Sequence, residues 1–182
     1  MRLFTALDLS GDVVGRIEKA LRRLEPVADI RWSHPANLHV TTKFIGEWPE
    51  GRLPELKQAL GGIPARDAIE VNVRKMGYFP NPRSPKVFWC GIEARGLAEL
   101  AADTDAATAL LGIPKETRPF SPHLTLARIK DRFDPAKLDE AVRQLPSLDF
   151  GSFEARSFYL YLSESKPTGS VYTKLAEFPL SR

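Results

Sequence analysis

The hydrophobic and polar positions of the chain follow two periods, and each period predicts one kind of element. Apolar residues three to four positions apart indicate amphipathic helices, over residues 12–27, 53–63, 96–113 and 134–145. Short apolar or alternating runs indicate strands, over residues 2–9, 30–32, 37–46, 68–79, 86–94, 123–130, 157–167 and 170–180. The two kinds are mixed along the whole chain, which favours an α+β fold.

Residues suited to caps mark three helix boundaries. Ser10 or Asp12 can cap the first helix, because either side chain offers an oxygen to a free backbone N–H group. Two glycines at 61–62 are typical of the end of the second helix. Asp134 is expected to cap the fourth helix, with Pro135 at its first position.

The same order of elements occurs twice. Each half has a helix, then a strand carrying His-x-Thr, then a helix and two further strands. The last two strands of the chain form a predicted hairpin around residues 167–169. We interpret residues 1–182 as a single bilobal domain with an internal duplication. Each lobe is expected to hold an antiparallel sheet with helices, and a pseudo-twofold axis is expected to relate the lobes across a cleft.

Composition limits the class of protein. The chain has 182 residues, of which 43% are apolar and 27% charged, as in ordinary globular domains. One cysteine, Cys90, cannot form an internal disulfide, and its apolar neighbours favour a core residue over a nucleophile. No apolar run reaches the roughly 18 residues of a membrane span, and Asp8 interrupts the N-terminal run too early for a signal peptide. We therefore expect a cytoplasmic protein with no membrane association, and a self-contained domain favours a monomer.

The basic residues lean towards arginine, with 16 arginines and 10 lysines at a net charge of +3. The planar fork of arginine matches phosphate oxygens, which weakly indicates an anionic partner. Solvated surface arginines account for most of them equally well.

Two of the three histidines lie in the same short motif. His39 and Thr41 stand in "NLHVTTKFIG", and His123 and Thr125 stand in "SPHLTLARIK". Because side chains on a strand alternate faces, the histidine and threonine of each motif share one face. The residues between and after them are expected to face the core: Val40, Thr42, Phe44, Leu124 and Leu126.

Paired His-x-Thr motifs suit phosphodiester chemistry without a metal. One neutral imidazole can take a proton from water while an imidazolium gives a proton to the departing oxygen, since the ordinary pKa of histidine is about 6.5. The threonine hydroxyls can donate to the phosphate oxygens as charge develops. No His, Asp and Glu cluster has the spacing of a metal site, so neither a metal nor a cofactor is expected.

Chance is a poor explanation for the pair. Threonine makes up 9 of 182 residues, so a threonine follows any one histidine at two positions about once in twenty times, and a lone motif is uninformative. Two of three histidines in that context, at matching places in the repeat, favour a shared site over two buried structural histidines.

Flanking residues add candidate contacts to a phosphate or a base. Arg118 precedes the second motif, Arg128 follows it, and Lys43 shares the face of His39 by parity. Strict alternation directs Arg128 away from the cleft unless a bulge turns it back. For Arg118, Arg128 and Lys43 the sequence leaves two roles open, contact with a ligand or a surface salt bridge. Phe79 is expected on a loop, where it stacks on a nucleobase or packs locally.

The motifs "HVTT" and "HLTL", with "LHVTTKFIGE" and "RPFSPHLTLAR" around them, resemble the 2H phosphoesterase superfamily. Within it the chain is most similar to the RNA 2′,3′-cyclic phosphodiesterases, also called 2′-5′ RNA ligases, and the opening "RLFTALDLS" and the internal segment "SPKVFWCGI" fit them too. The resemblance implies a bilobal α+β fold with the site between the lobes. It also implies metal-independent hydrolysis of a terminal 2′,3′-cyclic phosphate to a 2′-phosphate.

The resemblance also implies roles for single residues. It makes His39 the proton donor to the 3′ oxygen, His123 the base that activates water, and Thr41 and Thr125 phosphate binders. It links Arg128 to phosphate binding as well, whereas strict alternation of side chains turns this arginine away.

Several functions remain open at this level. The expected partners are RNA ends with a 2′,3′-cyclic phosphate or small cyclic nucleotides, with tRNA fragments among them. The alternatives are 2′-5′ ligation of tRNA halves, which is the same chemistry in reverse, and a module that binds RNA ends without catalysis. Binding alone needs cations and not two titrating imidazoles, which favours an enzyme.

Overall fold

The computed structural model describes residues 1–181, and within them the chain forms four helices and nine strands. The α-helices are α1 (Gly11–Leu24), α2 (Leu53–Gly61), α3 (Leu97–Ala109) and α4 (Ala136–Arg143). The strands are β1 (Arg2–Leu7), β2 (Arg31–Trp32), β3 (Val40–Glu47), β4 (Ile69–Phe79), β5 (Val87–Glu93), β6 (His123–Arg128), β7 (Asp149–Ala155), β8 (Ser157–Lys166) and β9 (Gly169–Pro179). None of the helices described is long and apolar enough to cross a membrane.

The strands form two antiparallel sheets, which confirms the α+β prediction. The first sheet has the order β3-β1-β8-β9, and the second has the order β2-β6-β5-β4-β7. Helices α2 and α3 pack against the first sheet, and α1 and α4 belong to the second. Both sheets therefore contain a row of four neighbouring strands that begins with a His-x-Thr strand. This row is β3-β1-β8-β9 in the first sheet and β6-β5-β4-β7 in the second.

The two halves of the chain do not fold as separate lobes, contrary to the expected order. The first sheet combines β1 and β3 with the last two strands, and the second sheet takes the strands from the middle of the chain. Strands β2 and β3, expected as successive strands, lie in different sheets. Hydrophobic periodicity identifies a strand but not its partner, so the exchange between sheets was not visible in the sequence.

Strand β7 was not predicted. It ends at Ala155, and a single residue, Arg156, separates it from β8 in the other sheet. Because no Gly, Pro or Asn marks this crossing, the two strands are not separated by any turn signal.

The N-terminal ends of the helices lie closer to the predicted positions. At the start of α1, Ser10 accepts the N–H of Val13 at 3.3 Å. Helix α4 begins one residue later than predicted, at Ala136.

Strand β3 has one extra residue directly after its threonine. Thr41 pairs with Ala6, and Lys43 pairs with Thr5, so Thr42 has no partner of its own on β1. A β-bulge of this kind reverses the alternation of faces beyond it. The hydroxyl of Thr42 lies in the core and shares a hydrogen bond of 2.7 Å with the hydroxyl of Thr5.

Strand β6 has the same irregularity at the same place in its motif. Thr125 pairs with Trp89, and Ala127 pairs with Phe88, which leaves Leu126 as the extra residue. Both Leu126 and Ala127 are fully buried. The alternation therefore changes phase after both threonines, and predictions based on strict parity fail beyond them.

The change of phase corrects two expectations on β3. Phe44 was expected in the core, but it pairs with Phe4 on the face that carries His39, and its side chain is 61% exposed. Lys43 was expected beside His39 and Thr41, but it points to the opposite face and is buried against α3.

The ammonium group of Lys43 has its own set of partners. It donates to a carboxylate oxygen of Asp105 at 2.7 Å and to the carbonyl of Pro114 at 2.8 Å, and Glu116 lies at 3.7 Å. Only 1% of the Lys43 side chain is exposed. This charge therefore joins β3 to α3, and it is not available to a ligand.

The core lies between the sheets and their helices. Cys90 is buried there on β5, as predicted, and burial raises the pKa of its thiol to about 12. A thiol with this pKa is almost entirely protonated at neutral pH, which makes it a poor nucleophile.

We expect Asp105→Ala to destabilise the protein by about 3 kcal/mol, because it leaves the buried Lys43 ammonium without its closest anion. Glu116→Ala removes a carboxylate that is 53% exposed and more distant, and it should cost below about 1 kcal/mol. Chemical denaturation of both variants measures the difference. Equal losses in the free energy of unfolding would show that Asp105 is not the main partner of the buried Lys43 ammonium.

Candidate active site

His39 is held at the entrance to β3 by two hydrogen bonds. A short 3₁₀ turn, Pro35–Asn37, delivers the chain to it. Its Nδ1 lies 2.6 Å from the carbonyl oxygen of Asn37, and its Nε2 lies 2.9 Å from the hydroxyl oxygen of Thr41. The carbonyl can only accept, so Nδ1 carries a hydrogen, and Nε2 is the nitrogen that gains or loses a proton.

His123 repeats this arrangement at the start of β6. Its Nδ1 lies 2.8 Å from the carbonyl oxygen of Ser121, again the residue two positions earlier. Thr125 lies two residues further along the same face, and its own carbonyl accepts a hydrogen bond from the Ser33 hydroxyl at 2.8 Å. In both motifs the backbone therefore fixes the tautomer and leaves Nε2 for chemistry.

Aromatic rings hold each imidazole. The ring of His39 packs against Phe4 at 4.7 Å between centroids and edge-on against Tyr172 at 5.2 Å. His123 packs edge-on against Phe79 at 5.0 Å, and Phe79 in turn packs against Trp89. Both imidazoles are therefore half-buried and restricted in rotation.

The two motifs act on each other electrostatically. Burial lowers the pKa of His39 below its ordinary value, and electrostatic interactions with Arg128 and His123 lower it further. The Asn37 carbonyl and the Asp8 carboxylate oppose this effect. Strands β3 and β6 also contact each other directly. The structure thus brings the two histidines and Arg128 into one cleft between the sheets.

Arg128 lies on the cleft face because of the bulge after Thr125. It pairs with Val87 on one side and with Arg31 on the other, and its side chain is exposed. The parity argument that turned Arg128 away from the cleft was therefore wrong, for the physical reason that the strand is not regular.

The other predicted contacts are placed differently. Phe79 ends β4 instead of lying on a loop, and its ring touches His123. Arg118 is exposed in the irregular segment before β6. His34, the third histidine, lies in the turn before β3 and accepts the N–H of Ala36 through its Nδ1 at 3.2 Å.

Sequence reasoning missed a polar cluster near His39. The Tyr161 hydroxyl donates to one carboxylate oxygen of Asp8, and the ammonium of Lys174 donates to the other at 2.6 Å. The Phe4 ring stacks between Tyr161 and His39. Asp8 is more than 150 residues from Tyr161 and Lys174 along the chain, so no short motif indicates the cluster.

Among residues 1–181, no three His, Cys, Asp or Glu side chains form a group that could hold a metal ion. A cavity of about 230 Å³ lies away from the histidines, beside α2, α3 and the end of β9. The candidate site is an open cleft between the two sheets.

Comparison with known proteins agrees with this geometry. The sequence matches the family described as LigT like Phosphoesterase over residues 7–89 and 92–172, and each segment contains one His-x-Thr motif. The chain belongs to the LigT-like phosphoesterase family. It is accordingly an enzyme of the phosphoesterase class, which confirms the recognition made from the two motifs.

Individual LigT-like proteins resemble the chain over its whole length. The RNA 2′,3′-cyclic phosphodiesterase of Thermus thermophilus is 38% identical, over 99% of this chain and 90% of the relative. The crystal structure of TT0787 of Thermus thermophilus superposes with a TM-score of 0.83 at 34% identity, over 99% and 98% of the two chains. LigT of E. coli in complex with 3′-AMP gives a TM-score of 0.81 at 27% identity, over 100% and 98%.

Arg128→Gln is expected to raise the pKa of His39, because removing a nearby positive charge makes protonation of the imidazole easier. Titration of the imidazole resonances by NMR measures the shift. Arg23→Gln, which removes an exposed charge from α1, is the matched control and should leave the pKa where it is. An unchanged pKa of His39 in Arg128→Gln would show that the charge of Arg128 does not act on the site.

Proposed function

We propose that this LigT-like phosphoesterase hydrolyses the 2′,3′-cyclic phosphate at the end of an RNA and leaves a 2′-phosphate. The observation that carries the proposal is the matched pair of imidazoles. Each has its Nδ1 tied to a backbone carbonyl, which makes Nε2 the nitrogen that can exchange a proton, and the Nε2 of His39 also meets the hydroxyl of Thr41. The names of the similar proteins agree with it, since the Thermus relative is an RNA 2′,3′-cyclic phosphodiesterase.

The proposed mechanism divides the proton transfers between the two motifs. Neutral His123 accepts a proton from the attacking water at Nε2, and protonated His39 donates its Nε2 proton to the departing 3′ oxygen. The hydroxyls of Thr41 and Thr125 donate to the non-bridging oxygens, and Arg128 compensates their charge. Two imidazoles thus supply every proton transfer, and the reaction requires no metal or cofactor.

The electrostatics of the free site count against a protonated His39, because burial and Arg128 both lower its pKa. A bound phosphate changes that balance. Its negative charge offsets Arg128 and favours the imidazolium form of a neighbouring histidine. The donor role of His39, which rests on family resemblance, therefore depends on the substrate being present.

The same site is suited to the reverse reaction, 2′-5′ ligation of RNA ends such as tRNA halves, because both directions share one transition state. Small cyclic nucleotides fit the same catalytic groups. We favour hydrolysis of RNA ends as the main activity, since water is always available in an open cleft.

We expect the protein, in EDTA, to convert a short RNA ending in a 2′,3′-cyclic phosphate to a 2′-phosphate. His39→Ala and His123→Ala should each reduce kcat about 100-fold or more, since each removes one proton transfer. His34→Ala is the matched control, because the third histidine only caps a turn. Product analysis by mass spectrometry and chromatography measures the outcome.

A 3′-phosphate product, or activity that appears only on adding Zn²⁺ or Mg²⁺, would refute the proposed mechanism. Turnover that survives both histidine substitutions would do the same.

Phe44 is the proposed contact for a nucleobase. Its exposed ring lies on the cleft face of β3, and exposed rings of this kind stack on bases in single-stranded nucleic acids. Phe44→Ala should raise KM about tenfold while kcat changes little, because stacking binds the substrate without touching the reacting atoms. The exposed Phe120, at 37%, provides the control variant Phe120→Ala. A fall in kcat without a change in KM would contradict the stacking role.

A further inference from the structure

Two arginines lie side by side on the second sheet. Arg128 on β6 is the cross-strand partner of Arg31 on β2, and Val87 on β5 completes the row on the other side. Directly opposed residues on antiparallel strands have their Cβ atoms about 5 Å apart. The two guanidinium groups therefore start from neighbouring points.

Both side chains leave the same face of the sheet. The residue after Arg31 is Trp32, which pairs with the buried Ala127 and packs edge-on against the core ring of Phe88. Since neighbouring residues on a strand face opposite ways, Arg31 faces the cleft. Its partner Arg128 faces the cleft as well, because of the bulge after Thr125.

Neither guanidinium has an anionic partner among the residues that the structure describes. Across residues 1–181, neither Arg31 nor Arg128 forms a salt bridge or a side-chain hydrogen bond, and both are exposed. Arg52 and Arg143, by contrast, each pair with a glutamate. Like charges directly opposite each other destabilise a sheet. An arrangement that opposes folding and faces a cleft is typical of a binding site for an anion.

The two arginines are assigned different roles because they lie on different strands. The charge of Arg128 reaches His39 and so belongs to the reacting phosphate. Arg31 lies one strand further out, on the strand that forms the edge of the sheet. An anion held there is next to the reacting phosphate but is not part of it.

We propose that Arg31 binds the phosphodiester adjacent to the reacting cyclic phosphate, and so makes the enzyme selective for oligonucleotide ends over cyclic mononucleotides. This inference rests on the proposed function, since it takes the substrate to be an RNA end. Arg31 acts as a specificity-determining contact and takes no part in the proton transfers.

The test compares one substrate that has a second phosphate with one that lacks it. Adenosine 2′,3′-cyclic phosphate carries only the reacting group, and the dinucleotide ApA with a 2′,3′-cyclic end carries one further phosphodiester. Arg31→Gln should lower kcat/KM for the dinucleotide about tenfold more than for the mononucleotide, as expected for a lost charged hydrogen bond. Arg23→Gln, on the outer helix α1, is the matched control and should leave both values unchanged.

Salt dependence gives a second readout. For the dinucleotide, a plot of log kcat/KM against log salt concentration should become less steep by about 0.7 in Arg31→Gln, the value for one phosphate contact to a single strand. The slope for the mononucleotide should change less. Thermal unfolding should show no loss of stability in the variant, because the substitution removes a repulsion between like charges.

The outcomes separate the two proposals. If the wild type hydrolyses neither substrate, the proposed function fails. In that case the role of Arg31 is tested by the binding of two unreactive compounds, ApA 2′-phosphate and adenosine 2′-phosphate, to the wild type and to Arg31→Gln. Weaker binding of the dinucleotide alone by the variant supports the proposed role of Arg31. Equal losses on both substrates, or a loss on neither, would overturn the inference.

Discussion

The extra residue after each threonine is the constraint on which the site depends. A regular strand would place His and Thr of each motif on the cleft face and turn the residue five positions after the histidine away from it. The bulges at Thr42 and Leu126 reverse the alternation and bring Phe44 and Arg128 back to that face. Both extra residues are buried, and the hydroxyl of Thr42 is satisfied by Thr5. One backbone feature, used twice, therefore positions three cleft-facing side chains on each strand.

The two strands share this backbone feature but carry different side chains on it. The fourth residue after the histidine is Lys43 in one motif and Ala127 in the other, and both are buried. The buried ammonium requires a carboxylate, which fixes α3 to β3 through Asp105. The fifth residue is Phe44 in one motif and Arg128 in the other. A backbone with matching strand order thus supports a cleft that is aromatic on one side and cationic on the other, which suits a nucleotide with one base and one phosphate.

The sequence was sufficient for what depends on local pattern. Helix positions, most strands, the paired motifs and the burial of Cys90 follow from periodicity and composition. It was insufficient wherever the backbone departs from regularity or strands choose distant partners. The positions of Lys43, Phe44 and Arg128 depend on bulges that no turn residue announces, and β7 joins β8 through a single arginine. The exchange of β2 and β3 between sheets, and the cluster of Asp8, Tyr161 and Lys174, arise only from tertiary pairing.

The choice of a backbone carbonyl to hold each imidazole has a chemical consequence. A carboxylate at Nδ1 would fix the tautomer equally well, but its charge would raise the pKa of the histidine and favour one protonation state. The Asn37 carbonyl also raises the pKa of His39, but it carries no net charge, and burial of the ring outweighs it. In the free site burial and Arg128 favour the neutral form of His39. In the proposed mechanism the negative charge of an arriving phosphate offsets Arg128, which favours the acid form of His39 beside the departing oxygen. In the proposed mechanism the substrate itself thus completes the acid–base pair.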